Sequence, residues 1–307
     1  MLNKDALVAA AKCQQISFCN YASQPIRIKS ASFLSPAQAN EVVSRYKKHG
    51  FAVIELESGT PTEESLLALG NALNLGDPFV PPLYKMGNYR AQKITKIASS
   101  ADGADASVHP SFLEQIGLDL HCDGTLQRIG QIKTSVLLCC SPSAEGGESI
   151  LFNSSAAYAE LVYSDFEAAL ALAHPDVFVR KANLNGCNDV NRGPTFAILN
   201  GELVCNYSIT ATDSWEIVSG VDKHVLKRGI KFMQSAATPG SSYYLQLKIA
   251  ACQALIFANT KVSHGRMPYS DSKTQQRCMY RGIYTGSPSS NKYLSTTFDI
   301  TTKSATT

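Results

Sequence analysis

Two short words far apart in the chain constrain it most: His121-Cys122-Asp123, and His264-Gly265-Arg266 well over a hundred residues further on. A histidine and a carboxylate two residues apart can aim at one point from the same face of a strand, with Cys122 facing away. His264 follows the strand-like ALIFANTKVS, so it sits where a neighbouring strand ends. A fold that unites them places two imidazoles and one carboxylate on one side of a metal. The other side is left open, as a mononuclear iron centre needs to bind an oxo-acid and O2 together. HxD alone is a weak signal, and the same ligands could hold zinc for hydrolysis.

The arginines that follow weigh on the choice. In a strand over 276–285, Arg277, Met279, Arg281 and Ile283 share one face, and Cys278, Tyr280, Gly282 and Tyr284 the other. Both faces carry apolar groups, so the strand is expected to be buried on both sides. An unpaired buried guanidinium costs several kcal/mol, so each arginine needs an anion. Either a protein carboxylate such as Glu148 or a bound ligand would serve. A hydrolase has no standing need for such a clamp, which favours an oxygenase. Arg266 is read as a support for the adjacent ligand or as structural. His49, His109, His174 and His224 lack comparable partners and are read as structural or exposed.

Bulk properties narrow the class. The 307 residues are 44% hydrophobic and 17% charged, enough for a sizeable core. A net charge of +3, with no basic run beyond Lys47-Lys48, gives no case for nucleic acid. No apolar run is long enough to span a membrane, and Asp5 breaks the basic start a signal peptide would need. The nine cysteines form no CxxC pair and are read as reduced, mostly buried thiols of a cytoplasmic protein.

Local signals divide the chain into helices and strands. Ser35-Pro36-Ala37-Gln38 is a capping box that opens a helix ending near His49, with Gly50 just past its end. Phe51–Leu56 reads as a buried strand. Thr60-Pro61-Thr62-Glu63 repeats the capping pattern before a helix through about Leu75. From about residue 118 the signals are mainly β: strands over 132–141, 149–152, 198–207, 243–249, 254–260 and 276–285, with a Glu145–Glu148 turn. One or two helices are expected over 155–172, and a lid or a disordered loop over 183–196. No linker divides the chain, so one domain, 1–307, is expected, with residues 1–30 wrapping the body and 287–307 a polar tail.

Taken together, the motifs resemble the taurine dioxygenase, γ-butyrobetaine hydroxylase and clavaminate synthase group. The likeness rests on the start at Ser35–Leu75 with its HGF-x-V-I strand, on His121-x-Asp123 and on the Gly146-Gly147-Glu148-Ser149 turn. It rests further on FANTKVSHGRMPY, similar to an NxxxxHGR segment, and on the spacing of Arg277. The resemblance implies a mainly β fold with flanking helices, a double-stranded β-helix (jelly-roll) barrel. It implies Fe(II) held by His121, Asp123 and His264, and 2-oxoglutarate as co-substrate with O2. Arg277 would hold the distal carboxylate of 2-oxoglutarate, helped by Ser149, and Arg281 would grip an anionic substrate. Asp123 in place, where related halogenases have a small residue, implies hydroxylation, desaturation or ring formation, with release of succinate and CO2.

The expected substrate is a small polar metabolite, anionic or amino-acid-like, of the kind met in secondary metabolism. Its walls are sought in 80–118 and 183–215, with Tyr84, Asn88, Tyr89 and Arg90 as candidates by composition. A zinc-dependent hydrolase on a similar barrel, and a jelly-roll binding protein with a vestigial metal site, stay open as alternatives. So does assembly into a homo-oligomer.

Overall fold

The computed structural model describes residues 4–85, 92–98, 114–182 and 187–290. Residues 291–307 of the expected polar tail, His109, the wall candidates Asn88, Tyr89 and Arg90, and the Tyr84 side chain lie outside the described residues.

Two sheets carry the architecture. The larger has six strands, in the order β1 (Ile26–Ile28), β2 (Phe51–Leu56), β14 (Gln253–Ala258), β5 (Thr134–Ser141), β17 (Cys278–Tyr284) and β3 (Thr95–Ala98). The smaller has four: β13 (Tyr244–Leu247), β7 (Ser149–Phe152), β15 (Ser263–Arg266) and β4 (Leu118–His121). Smaller sheets join β12 (Asp213–Trp215), β8 (Phe178–Lys181) and β9 (Val190–Gly193); β10 (Phe196–Leu199) and β11 (Glu202–Cys205); and β16 (Tyr269–Ser270) and β6 (Glu145–Gly146).

The two-residue period of the strands explains how the sheets stack. In β5, Leu137 and Cys139 join a core shared with Leu151 of β7 and with Leu255 and Phe257 of β14, so this core lies between the two sheets. Val136 and Leu138 point the opposite way, with Ala254 and Ile256. There they meet α2 (Pro36–His49) through Val42 and α3 (Glu63–Ala72) through Leu66 and Leu69. The outer face of the smaller sheet, with Leu120, Ile150 and Phe152, packs on α1 (Lys4–Lys12), α4 (Ser154–Ser164), α5 (Phe166–Leu172) and α6 (Lys223–Ala236). Strands buried on both faces read as continuous apolar runs for this reason.

Several local readings change. Ser35 and Gln38 close the expected capping box, with Gly50 left-handed at φ 75°. The next helix is capped by Thr62 with Ser65, not by Thr60, and ends at Ala72, followed by a left-handed Asn74. Asp165 splits 155–172 into two helices by ending one and capping the next. The single strand expected over 198–207 is a hairpin, because Asn200 and Gly201 both have positive φ, the turn an Asn-Gly pair favours. In the 183–196 stretch, 183–186 lies outside the described residues. Val190–Gly193 is a strand and not a disordered loop, because it pairs with β8. Residues 4–12 form a helix whose Leu7, Ala10 and Ala11 enter the core. Only three of the nine cysteines are buried, which corrects the expectation for thiols; all nine are free. No described helix is long and apolar enough to cross a membrane.

Candidate metal centre and active-site cavity

A cavity of about 340 Å³ opens between the two sheets. Ile97, Leu137, Arg281 and Ile283 line it from the larger sheet, and Leu118, His121, Ser149, His264 and Arg266 from the smaller. Asp123 and Arg277 also face it. The residues assigned from the resemblance, His121, Asp123 and His264 to metal, Arg277 and Ser149 to co-substrate and Arg281 to substrate, therefore border one space.

His121 and His264 are direct partners across the β4–β15 pair, with ring centroids 4.2 Å apart. Gly265 makes this approach possible: a Cβ there would meet the Leu118 carbonyl at 2.6 Å. Asp123 does not share a strand face with His121 as expected, since β4 ends at His121 and Asp123 lies beyond it. The chain turns into the site because Cys122 is buried in the core beside Cys205 and Ser263, and because Asn259 holds Asp123 from both sides. The Asp123 N–H donates to Asn259 Oδ1 at 2.7 Å, and Asn259 Nδ2 donates to the Asp123 carbonyl at 3.1 Å.

The ligating atoms of His121, Asp123 and His264 all lie within 4.8 Å of one another. The carbonyl of Asp119 accepts from His121 Nδ1 at 2.8 Å, which leaves Nε2 as the nitrogen without a proton. Burial, then the neighbouring His121, pushes the His264 pKa down to about 3, and burial lowers that of His121. Burial works against the charge on Asp123. Arg281 (Nη1 to Oδ1, 3.1 Å), the two histidines and Ser135 (Oγ to Oδ2, 2.6 Å) outweigh it and hold the carboxyl well below its usual range. Because His264 is neutral, its 3.9 Å contact with Asp123 Oδ2 is not an ion pair. Two neutral imidazoles and one carboxylate, converging beside open space, fit a divalent metal with positions left for ligands.

Arg277 is 5% exposed and forms no salt bridge with a described carboxylate. Its Nη2 meets Met279 Sδ at 2.8 Å, its guanidinium lies 5.3 Å from the Tyr269 ring, and Nη1 is buried without a partner. Glu148, the protein anion considered for it, lies against Lys248 instead. A buried guanidinium with one nitrogen unpartnered, lining the same cavity as buried Ser149, fits a carboxylate supplied from outside the protein. Arg281 differs, because its charge already has a protein partner in Asp123. Arg266 donates through Nη2 to the carbonyls of Glu114 (2.7 Å) and Ile116 (2.6 Å), fixing the cavity rim. Burial, then Arg277, lowers its pKa to about 10.

Sequence reasoning missed Arg180. It is 2% exposed and donates to Asp213 Oδ1 (3.2 Å), Asn206 Oδ1 (2.7 Å) and the Cys122 carbonyl (3.0 Å). It thus grips the peptide between two of the candidate ligands. The available signal was one arginine in the otherwise apolar FVR of β8.

Residues 17–283 match the family described as taurine catabolism dioxygenase TauD, TfdA family. The chain belongs to this family. It is a dioxygenase of a family that uses Fe(II) as its metal and 2-oxoglutarate and O2 as co-substrates. A uridine-5′-phosphate dioxygenase from Amycolatopsis sp is 34% identical over 265 residues, 86% of this chain and 95% of that protein. A uridine-5′-phosphate dioxygenase from Streptomyces sp is 29% identical over 279 residues, 89% and 98%. In structure, the chain is similar to an asparagine oxygenase solved with Fe(II), 2S,3S-3-hydroxyasparagine and succinate. The TM-score is 0.54 at 12% identity, with 93% and 92% of the chains covered. Family membership sets aside the hydrolase and the vestigial binding protein.

Proposed function

We propose that the chain is a uridine-5′-phosphate-type dioxygenase, oxidising a C–H bond of a pyrimidine nucleotide at an iron centre held by His121, Asp123 and His264. The observation that carries this reading is the 34%-identical relative of that name, matched over nearly its whole length. The cavity supports it: buried Arg180, Arg266, Arg277 and Arg281 line a space of ligand size, suited to an anionic substrate. A nucleotide is anionic, the first of the two substrate types expected from the sequence, and takes the place of the amino-acid-like alternative. The two facing sheets with helices outside are the layers of a double-stranded β-helix, and we assign that barrel type to them. A cytoplasmic location accords with nine free thiols.

When bound, iron would couple the oxidative decarboxylation of 2-oxoglutarate to succinate and CO2 with the reduction of O2, the oxidant for C–H cleavage. The protein's own residues bind and orient. His121 Nε2, His264 Nε2 and the Asp123 carboxylate present three donors, already in the protonation state a cation requires. Arg277, with Ser149, receives the distal carboxylate of the co-substrate as a bidentate anchor. Arg281 orients Asp123 and borders the substrate space, where it would also meet a substrate anion. Ile97, Leu137 and Ile283 make the wall behind it apolar and exclude water.

The test is an anaerobic reconstitution with Fe(II), followed by 2-oxoglutarate, O2 and a panel of nucleoside 5′-monophosphates, nucleosides and amino acids. Uridine-5′-phosphate is expected to stimulate succinate formation most. A panel in which an amino acid alone does so would overturn the nucleotide reading.

A further inference from the structure

Most polar side chains around the cavity are engaged by the protein. Asp123 and Arg281 hold each other, and Arg180 is held by Asp213, Asn206 and the Cys122 carbonyl. His121 Nδ1 is taken by Asp119, and Arg277 with Ser149 is assigned above to the co-substrate.

Gln127 stands apart. It lines the cavity, is 7% exposed, and its side chain makes no hydrogen bond to any described residue; Oε1 is enclosed without a partner. The backbone that carries it is fixed. Its N–H donates to the Gly124 carbonyl at 3.1 Å, and its carbonyl accepts from Asn191 Nδ2 at 2.8 Å. The amide packs on bare backbone: Gly124 has φ +89°, and a Cβ there would lie 3.3 Å from Gln127 Oε1 and 2.9 Å from Ile132. A buried, unsatisfied amide is costly, so a fixed turn that holds one at a ligand cavity, just past Asp123, points to a ligand group that satisfies it.

We propose that the Gln127 amide pairs with the imide edge of a uracil ring. This rests on the uridine-5′-phosphate reading above. A primary amide presents an acceptor oxygen and a donor NH2 side by side. Uracil presents the N3–H donor flanked by the O2 and O4 acceptors. The two edges form a planar pair of hydrogen bonds, the way protein amides read base edges elsewhere.

The test is a cycle of two enzymes and two substrates: wild type and Gln127→Leu, each with uridine-5′-phosphate and N3-methyluridine-5′-phosphate. Succinate formation yields kcat/KM, and anaerobic calorimetry yields Kd. Methylation removes the N3–H, so on wild type it is expected to lower kcat/KM and weaken binding by about tenfold or more. On Gln127→Leu the same methylation is expected to change little, because the partner is already gone. Equal losses in both enzymes overturn the Gln127 assignment and leave the uridine-5′-phosphate reading standing. A wild type that does not turn over uridine-5′-phosphate overturns that reading, and the assignment with it. If melting shows that Gln127→Leu does not fold, Gln127→Met enters the same cycle, with the same outcomes.

Discussion

Asn259 clasps Asp123 by its backbone, accepting from the N–H at 2.7 Å and donating to the carbonyl at 3.1 Å. Asn259 precedes His264 by five residues, so one side chain ties the segment of the third candidate ligand to the first pair. A second Nδ2 bond, to the Ile132 carbonyl at 3.0 Å, fastens the clasp to the chain entering β5.

Asn259→Ala is therefore expected to unpair two buried backbone groups of Asp123. A stability loss of about 1–3 kcal/mol should follow for the groups left unsatisfied. Calorimetric titration with Co(II) should show weaker binding than in the wild type. Unchanged melting and unchanged affinity would show that Asp123 is held by other means.

Arg277→Gln is expected to raise the KM for 2-oxoglutarate by about 30-fold to several thousand-fold, the loss of a buried charge-assisted contact worth roughly 2–5 kcal/mol. Ser149→Ala should raise it modestly. Steady-state kinetics with 2-oxoglutarate varied is the measurement, and an unaltered KM in Arg277→Gln would count decisively against the assignment.

Arg281→Met removes the partner of Asp123 Oδ1 as well as a charge at the cavity wall. Metal affinity and substrate KM should both suffer, unlike a residue that touches substrate alone. Titration of the variant with Co(II), set beside its kinetics, separates the two effects. An intact metal affinity would assign Arg281 to the substrate only.

Acid should destabilise the metal-free protein through its histidines. His264 has a folded pKa of about 3 against an ordinary value near 6.5, and His121 and Asp123 are shifted the same way, downward. A lowered folded pKa means that the unfolded chain binds more protons at intermediate pH. The His264 contribution is thus complete above about pH 6.5 and lost as pH falls toward 3. Melting temperatures of apo wild type should fall across that window, and His264→Asn should flatten the slope. Equal slopes would show that His264 is not held neutral.

Arg180→Met leaves the Asp213 carboxylate, a fully buried side chain, without its cation. Breaking a buried pair from one side costs about 3–5 kcal/mol. The Cys122 carbonyl between His121 and Asp123 also loses its donor, so metal affinity should drop together with stability. Arg180→Met that melts normally would contradict the network.

Much of this was legible in the sequence because its cause is local. Ser35 and Gln38 announce a helix start within four residues, and the apolar runs of β5 and β14 announce strands covered on both faces. The candidate site was legible for another reason: His121, Asp123, His264 and Arg277 are polar groups whose types and spacings match one chemistry. The hairpin turn at Asn200-Gly201 was also readable and was overlooked.

Tertiary structure alone decided which charges have partners. Arg277 and Arg281 look alike in the sequence, yet one lies just before β17 and its guanidinium forms no salt bridge with a described carboxylate, while the other lies within β17 and holds Asp123. Arg180 and Gln127 carry no local signal of their place at the cavity. A spacing along a strand specifies direction, because the strand repeats every two residues. Which group lies opposite depends on how two sheets stack, set by many weak apolar contacts between distant segments. The sequence by itself therefore determined the kinds of chemistry available to this protein, and packing determined which side chains were left free to perform it.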